Sequence, residues 1–194
     1  QDKRQSWPPL RAAPACPVAT RGGAINSGEP IMQGGAFAHA GAAEAPHVLR
    51  FETARLDQPV LVAGPVVARL RISTDGPDAD VTIKLLDVYP DGVAYGLTDG
   101  ILRLSHRHPA YAPRATVPGE VMAVEVEAYP TANTFAAGAR LRVAIAGSNF
   151  PRFDLNPNGN PAQRHMSNAR IATTTLHLGG ACASCLQLHL LPAP

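Results

Sequence analysis

Apolar and polar residues alternate with a period of two in five separate stretches of the chain. In the run V-V-A-R-L-R-I, Val66, Ala68, Leu70 and Ile72 share one face, and Arg69 and Arg71 share the other. Met122, Val124, Val126 and Ala128 repeat the pattern against Glu125 and Glu127, as do Leu141, Val143 and Ile145 against Arg140 and Arg142. Val81, Ile83 and Leu85 stand opposite Thr82 and Lys84, and Leu186, Leu188 and Leu190 opposite Gln187 and His189. Each pattern predicts a strand with one buried and one solvated face, as in an antiparallel sheet covered on one side. Two such sheets bury their apolar faces against each other, so the expected fold is an all-β antiparallel β-sandwich or jelly roll. Turn formers fall between the runs: Asp75-Gly76-Pro77, Pro90-Asp91-Gly92, Pro118-Gly119 and Ala137-Gly138. No amphipathic run of helical period exceeds about three turns.

Residues 1–46 show no sustained period and carry turn-like Arg21-Gly22-Gly23 and Gln33-Gly34-Gly35. They read as an extended lead-in segment wrapping a sandwich of residues 47–194. A hydrophobic fraction of 45% and a charged fraction of 16% fit a globular domain, and 17 Gly with 19 Pro favour turns over long helices. The net charge is only +2, the signs alternate along the chain, and Lys3 and Lys84 are its two lysines. With no basic stripe, nucleic acid and anionic membranes are not expected partners. No apolar run reaches the roughly 18–20 residues that span a bilayer.

Candidate chemistry is sparse. None of the seven serines has glycine at both −2 and +2, so the GxSxG elbow of a serine hydrolase is missing. HExxH, P-loop and GxGxxG motifs are missing too, and neither catalytic residues nor a cofactor are expected. His106 and His108 would share a face on a strand, but no third metal ligand lies near them in sequence. Asp78 and Asp80 have a spacing that Ca²⁺ could use, although Asp in a Gly-Pro turn more often caps its own backbone. Cys182 and Cys185 form a CxxC beside a strand-like run rather than at a helix N-terminus, and Cys16 is distant, so a local turn is expected there instead of redox or zinc chemistry.

Several strings then occur in a fixed order: GPDADVTIKLLDVYPDG (76–92), LTDGILRLSHR (97–107), GARLRVAIAGSNFPRFDLNPN (138–158) and LQLHLLP (186–192). Upstream stand SWPP (6–9), RGG (21–23), GGAF (34–37) and VLRFET (48–53). Together they resemble the C-terminal domain of the Xaa-Pro dipeptidyl-peptidase and cocaine esterase class of hydrolases. The resemblance implies a galactose-binding-like jelly roll that follows an α/β-hydrolase domain carrying a Ser-Asp-His triad. That hydrolase domain, acting on acyl esters, β-lactam-related amides or Xaa-Pro bonds, is the implied partner. By position, Ala24 and Ile25 would form part of the substrate-pocket wall, and Ser148, Asn149, Phe150, Pro151 and Arg152 a domain-interface loop. Plain packing offers another reading, with Ala24 and Ile25 in the lead-in, Asn149 bonded to backbone and Phe150 in the core. Relatives carry Asp-Gln where this chain has Ala38-His39, and Cys182–Cys185 lie in an insertion.

The implied function is that of a non-catalytic accessory domain supporting a hydrolase, its substrate cleft or its assembly. Two alternatives remain: a free-standing carbohydrate-binding module and a homo-oligomerisation module. Sugar sites usually present aromatic platforms, whereas aromatics make up only 5% here and Trp7 is the one tryptophan.

Overall fold

The computed structural model describes residues 8–25, 33–39, 47–108, 112–179 and 183–192. Their strands are β1 (Leu10–Ala12), β2 (Leu49–Glu52), β3 (Val60–Thr74), β4 (Asp80–Val88) and β5 (Ala94–Arg103), then β6 (Met122–Phe135), β7 (Arg140–Ala146), β8 (Ala172–Leu176), β9 (Cys185–Gln187) and β10 (Leu190–Leu191). Among the described residues no helix is long and apolar enough to cross a membrane.

The strands form two antiparallel sheets. In one, β2, β7, β4 and β5 lie side by side. The other is organised by β3, which pairs with β6 along one edge. Along its other edge β10, β9 and β8 pair in succession, and β1 lies outside β8. The inner faces meet in a single apolar core containing Val66, Leu70, Ile72, Ile83, Val126 and Ile145. Arg69, Glu125 and Glu127 face solvent, so the alternation predicts the faces of β3 and β6 correctly. The result is a β-sandwich. At Gly100 the edges of β5 and β6 come so close that any side chain would run into the Glu127 carbonyl.

Leu141 is buried in β7 among core residues. Leu141→Ala is expected to reduce stability by about 2–4 kcal/mol through lost transfer energy and the cavity it leaves. Urea denaturation measures this, and an unshifted midpoint would remove Leu141 from the core.

Two expectations need correcting. Thr82 and Lys84 do not face solvent: β4 is buried along its whole length, because a second layer covers its outer face. Leu86 and Val88 of β4, Ala94 of β5 and Ala144 of β7 form a small apolar cluster apart from the main core. The closing run L-Q-L-H-L-L is not one strand with Leu186, Leu188 and Leu190 all inward. It splits into β9 and β10, and Leu190 is 62% exposed. The cause lies in β3, whose register shifts between Gly64 and Val66, between the segments that pair with β10 and β9. The condition for His106 and His108 to share a face is not met: they are not on a strand, since β5 runs out at Arg103 and Leu104–His106 form a 3₁₀ turn.

Candidate functional site

The layer over the outer face of β4 and β5 comes from two passes of the lead-in segment, within residues 17–25 and 33–39. The passes are joined by reciprocal backbone hydrogen bonds between Gly23 and Gly35, of 3.0 and 2.9 Å. Gly23 has φ +107°, and a Cβ there would press on the Arg152 guanidinium and the Asp99 carboxylate. Both facts demand glycine, which gives the RGG string a physical reason. The second pass is held to β5 by His39 N–H donating to the Ala94 carbonyl (2.8 Å) and Gly96 N–H donating to the Phe37 carbonyl (3.1 Å).

The first pass is stitched to the loop that leaves β7. Val18 N–H donates to Ser148 Oγ (2.8 Å) and Phe150 N–H to the Val18 carbonyl (2.9 Å). Thr20 N–H donates to the Phe150 carbonyl (2.6 Å) and Arg152 N–H to Thr20 Oγ1 (3.2 Å). The Phe150–Pro151 peptide bond is cis.

Beneath this seam lies a buried charge cluster. Lys84 on β4 and Asp99 on β5 are directly paired in the ladder. Asp99 Oδ2 accepts from Asn149 Nδ2 (2.6 Å), and Asp99 Oδ1 forms an ion pair with Arg152 Nη1. The Arg152 and Asp99 side chains are only 3% and 4% exposed. The guanidinium lies 5.2 Å from the ring centroids of both Tyr129 and Phe153, within cation–π range. Lys84 Nζ donates to the Ala19 carbonyl at 3.1 Å, tying the first pass to the sheet.

The electrostatics follow from burial. Desolvation pushes the Asp99 carboxyl above its usual range, against the lowering influence of Arg152, Asn149 and Lys84. It also lowers the Lys84 ammonium to about 8, which Asp99 partly resists and Arg152 reinforces. His39 is lowered to about 4, by burial first and Lys84 second. With two buried cations and one buried anion, the cluster keeps a positive surplus. Lys84 bonds to the lead-in and Asp99 to the loop, while Arg152 is held by its ion pair and the two rings, its Nε and Nη2 lacking a hydrogen-bond partner among the described residues.

The structure places the sequence-derived site residues around this seam. Ala24 is exposed and Ile25 half-buried, immediately after the Gly22-Gly23 turn. Asn149 is 1% exposed and bonds to a side chain instead of backbone, while Phe150 is 42% exposed and not in the core. Sequence reasoning missed Lys84, Asp99 and His39. The available signal was a lone lysine and a lone acid in the facing runs V-T-I-K-L-L and G-L-T-D-G.

Asp78 and Asp80 are engaged structurally. Asp78 Oδ1 accepts from the Ala79 and Ser105 amides, and Asp78 Oδ2 from Ser105 Oγ at 3.0 Å. Ser105 Oγ also contacts His106 Nδ1 at 3.1 Å. In a hydrolytic triad the imidazole stands between hydroxyl and carboxylate, whereas here the buried hydroxyl stands between the other two. Asp80 receives a two-point contact from Arg103 and a hydrogen bond from Asn156 Nδ2. Cys185 is exposed, and Cys182 lies outside the described residues.

Known proteins share this architecture. Residues 25–187 match the family model described as the X-Pro dipeptidyl-peptidase C-terminal non-catalytic domain. The cocaine esterase of Rhodococcus sp. (strain MB1 Bresler) is 37% identical over 146 residues, covering 74% of this chain and 25% of that protein. The crystal structure of an aminopeptidase from the marine sediment archaeon Thaumarchaeota archaeon superposes with a TM-score of 0.83 at 26% identity, over 97% of this chain and 34% of that one. An alpha-amino acid ester hydrolase superposes with a TM-score of 0.84 at 22% identity, over 98% and 33%, which is a likeness of fold. The chain therefore spans between 25% and 34% of the length of these relatives. Fold, ordered strings and family match agree that the chain belongs to the X-Pro dipeptidyl-peptidase C-terminal non-catalytic domain family.

Proposed function

We propose that this domain is the accessory module of an α/β-hydrolase acting on acyl esters or Xaa-Pro peptide bonds, and that it docks through the seam between lead-in and β7 loop. In this reading Ser148–Arg152 form the interface, and Ala24 and Ile25 stand at the wall of the substrate cleft. The observation that carries it is Phe150, an exposed aromatic side chain on a backbone bonded to the lead-in from both sides. A rigid aromatic knob loses little conformational entropy on burial, and aromatic anchors of this kind dominate interface energies. The buried ion cluster under the knob preserves its position.

The test is a titration of the chain with the α/β-hydrolase domain of its parent protein, read by calorimetry or sedimentation. One-to-one association is expected, with Phe150→Ala weakening it about 10- to 30-fold. Failure of the unaltered chain to associate, or stoichiometric hydrolysis of p-nitrophenyl acetate by the chain alone, would overturn the proposal.

A further inference from the structure

The two described passes of the lead-in, within residues 17–25 and 33–39, act as a strap with two clasps, one at Thr20–Phe150 and one at Phe37–His39 against Ala94–Gly96. The His39 ring sits inside the second clasp, almost fully buried, and lies so close over Gly96 that any side chain there would displace it. Its surroundings are cationic. Lys84 faces it from β4, Arg142 from β7 and Arg21 from the strap itself, and these with burial outweigh a hydrogen bond to the Arg21 backbone that favours the protonated ring. Asp99 of β5 lines the same small cavity with Arg21, Gly23 and Lys84. That carboxylate is already engaged by Arg152 and Asn149 from the β7 loop. A second proton on the imidazole would thus enter a closed space facing Lys84, Arg21 and Arg142, the last already paired with Glu52 at 2.6 Å, with the engaged Asp99 as the cavity's carboxylate.

We propose that the strap is an acid-releasable latch, in which proton uptake by His39 frees the passes within residues 17–25 and 33–39 from the outer face of the sheet while the two sheets, β1 included, stay folded. The latch regulates the docking seam described above and in that respect rests on the accessory-module reading. Release would carry Ala24 and Ile25 away from the Ser148–Arg152 loop.

The sign of the effect follows from linkage. The imidazole is held at about 4 when the strap is closed, below its ordinary 6.5. Closure is therefore strongest above pH 6.5 and weakens as pH falls from there towards 4. Asp99 acts in the opposite sense, since its carboxyl is raised in the folded state and proton uptake there favours folding. Global stability mixes the two, so the measurement must be local.

Hydrogen–deuterium exchange on the full chain, corrected for intrinsic rates, provides that measurement. The amides of Thr20, Gly35, His39 and Gly96 report on the strap, and those of β3 and β6 on the sandwich. Between pH 7 and 4.5, strap protection relative to the sandwich is expected to fall about 10- to 50-fold. His39→Gln should abolish that fall. Parallel behaviour of strap and sandwich, or an unchanged acid response in His39→Gln, would overturn the latch. If the variant leaves the strap open at every pH, an NMR titration of the unaltered chain decides: loss of the Thr20 and Gly96 amide protection in step with His39 protonation supports the latch, and His39 protonation that leaves both amides protected overturns it. These readouts need no partner, so a failed docking titration and a failed latch are separable results.

Discussion

Replacing Asp99 with alanine is expected to lower the unfolding free energy by about 3–5 kcal/mol, which is the usual penalty for removing one member of a buried ion pair. Little of that penalty reflects the strength of the Asp99–Arg152 attraction. It arises because Arg152 and Lys84 are left buried with no anion between them. Asn149 Nδ2 would also lose its acceptor. The double substitution Asp99→Leu with Arg152→Met removes the stranded guanidinium and should recover most of the loss. Urea unfolding of the single and double variants tests this directly. A single variant within 1 kcal/mol of the unaltered protein would mean that the cluster contributes no net stability.

The second large effect is expected at Phe135, and Phe150 supplies its control. Phe135 is fully buried at the end of β6, paired in the ladder with Val60. Phe135→Ala should reduce stability by about 3–5 kcal/mol. The same truncation at the exposed Phe150 should change stability by no more than about 0.5 kcal/mol. Denaturation curves of the two variants distinguish a core residue from a contact residue. Equal losses would place Phe150 in the fold's own packing and remove it from the docking seam.

Much of the fold is legible in the sequence because a strand buried on one side must alternate. Val66, Ala68, Leu70 and Ile72 declare the inner face of β3, as Val124 and Val126 declare that of β6. A period of two says which residues share a face, but it does not say whether a further layer covers the other one. Lys84 therefore read as solvated when it is buried. The lead-in that covers it has no period, so its docking left no trace in the pattern.

The charge cluster was hidden for another reason. The β4–β5 turn pairs Val88 with Ala94, and counting back from it would set Lys84 opposite Thr98. The register shifts by one where Leu97 of β5 is left without a partner, between Gly96 opposite Leu86 and Thr98 opposite Leu85, so that Lys84 meets Asp99 instead. The run V-T-I-K-L-L-D-V carries no sign of it, because the extra residue lies in β5. Asn149 and Arg152 were visible as loop residues, but their acceptor lies 50 residues away for Asn149 and becomes apparent only in three dimensions.

The pairing of β1 with β8 has a consequence for synthesis. Leu10 is registered against Thr174, so one of the earliest strands waits for one of the latest. At ribosomal speeds of about 5–20 residues per second, that wait lasts on the order of ten seconds or more. For about the last quarter of this time β3, fully made and paired with β6, offers its other edge to any neighbouring chain, because β8, β9 and β10 have not yet emerged. Yield in cells should thus depend on β8, β9 and β10 more than their partial burial suggests, and truncation before Ala172 should produce aggregates sooner than a slightly weakened soluble domain.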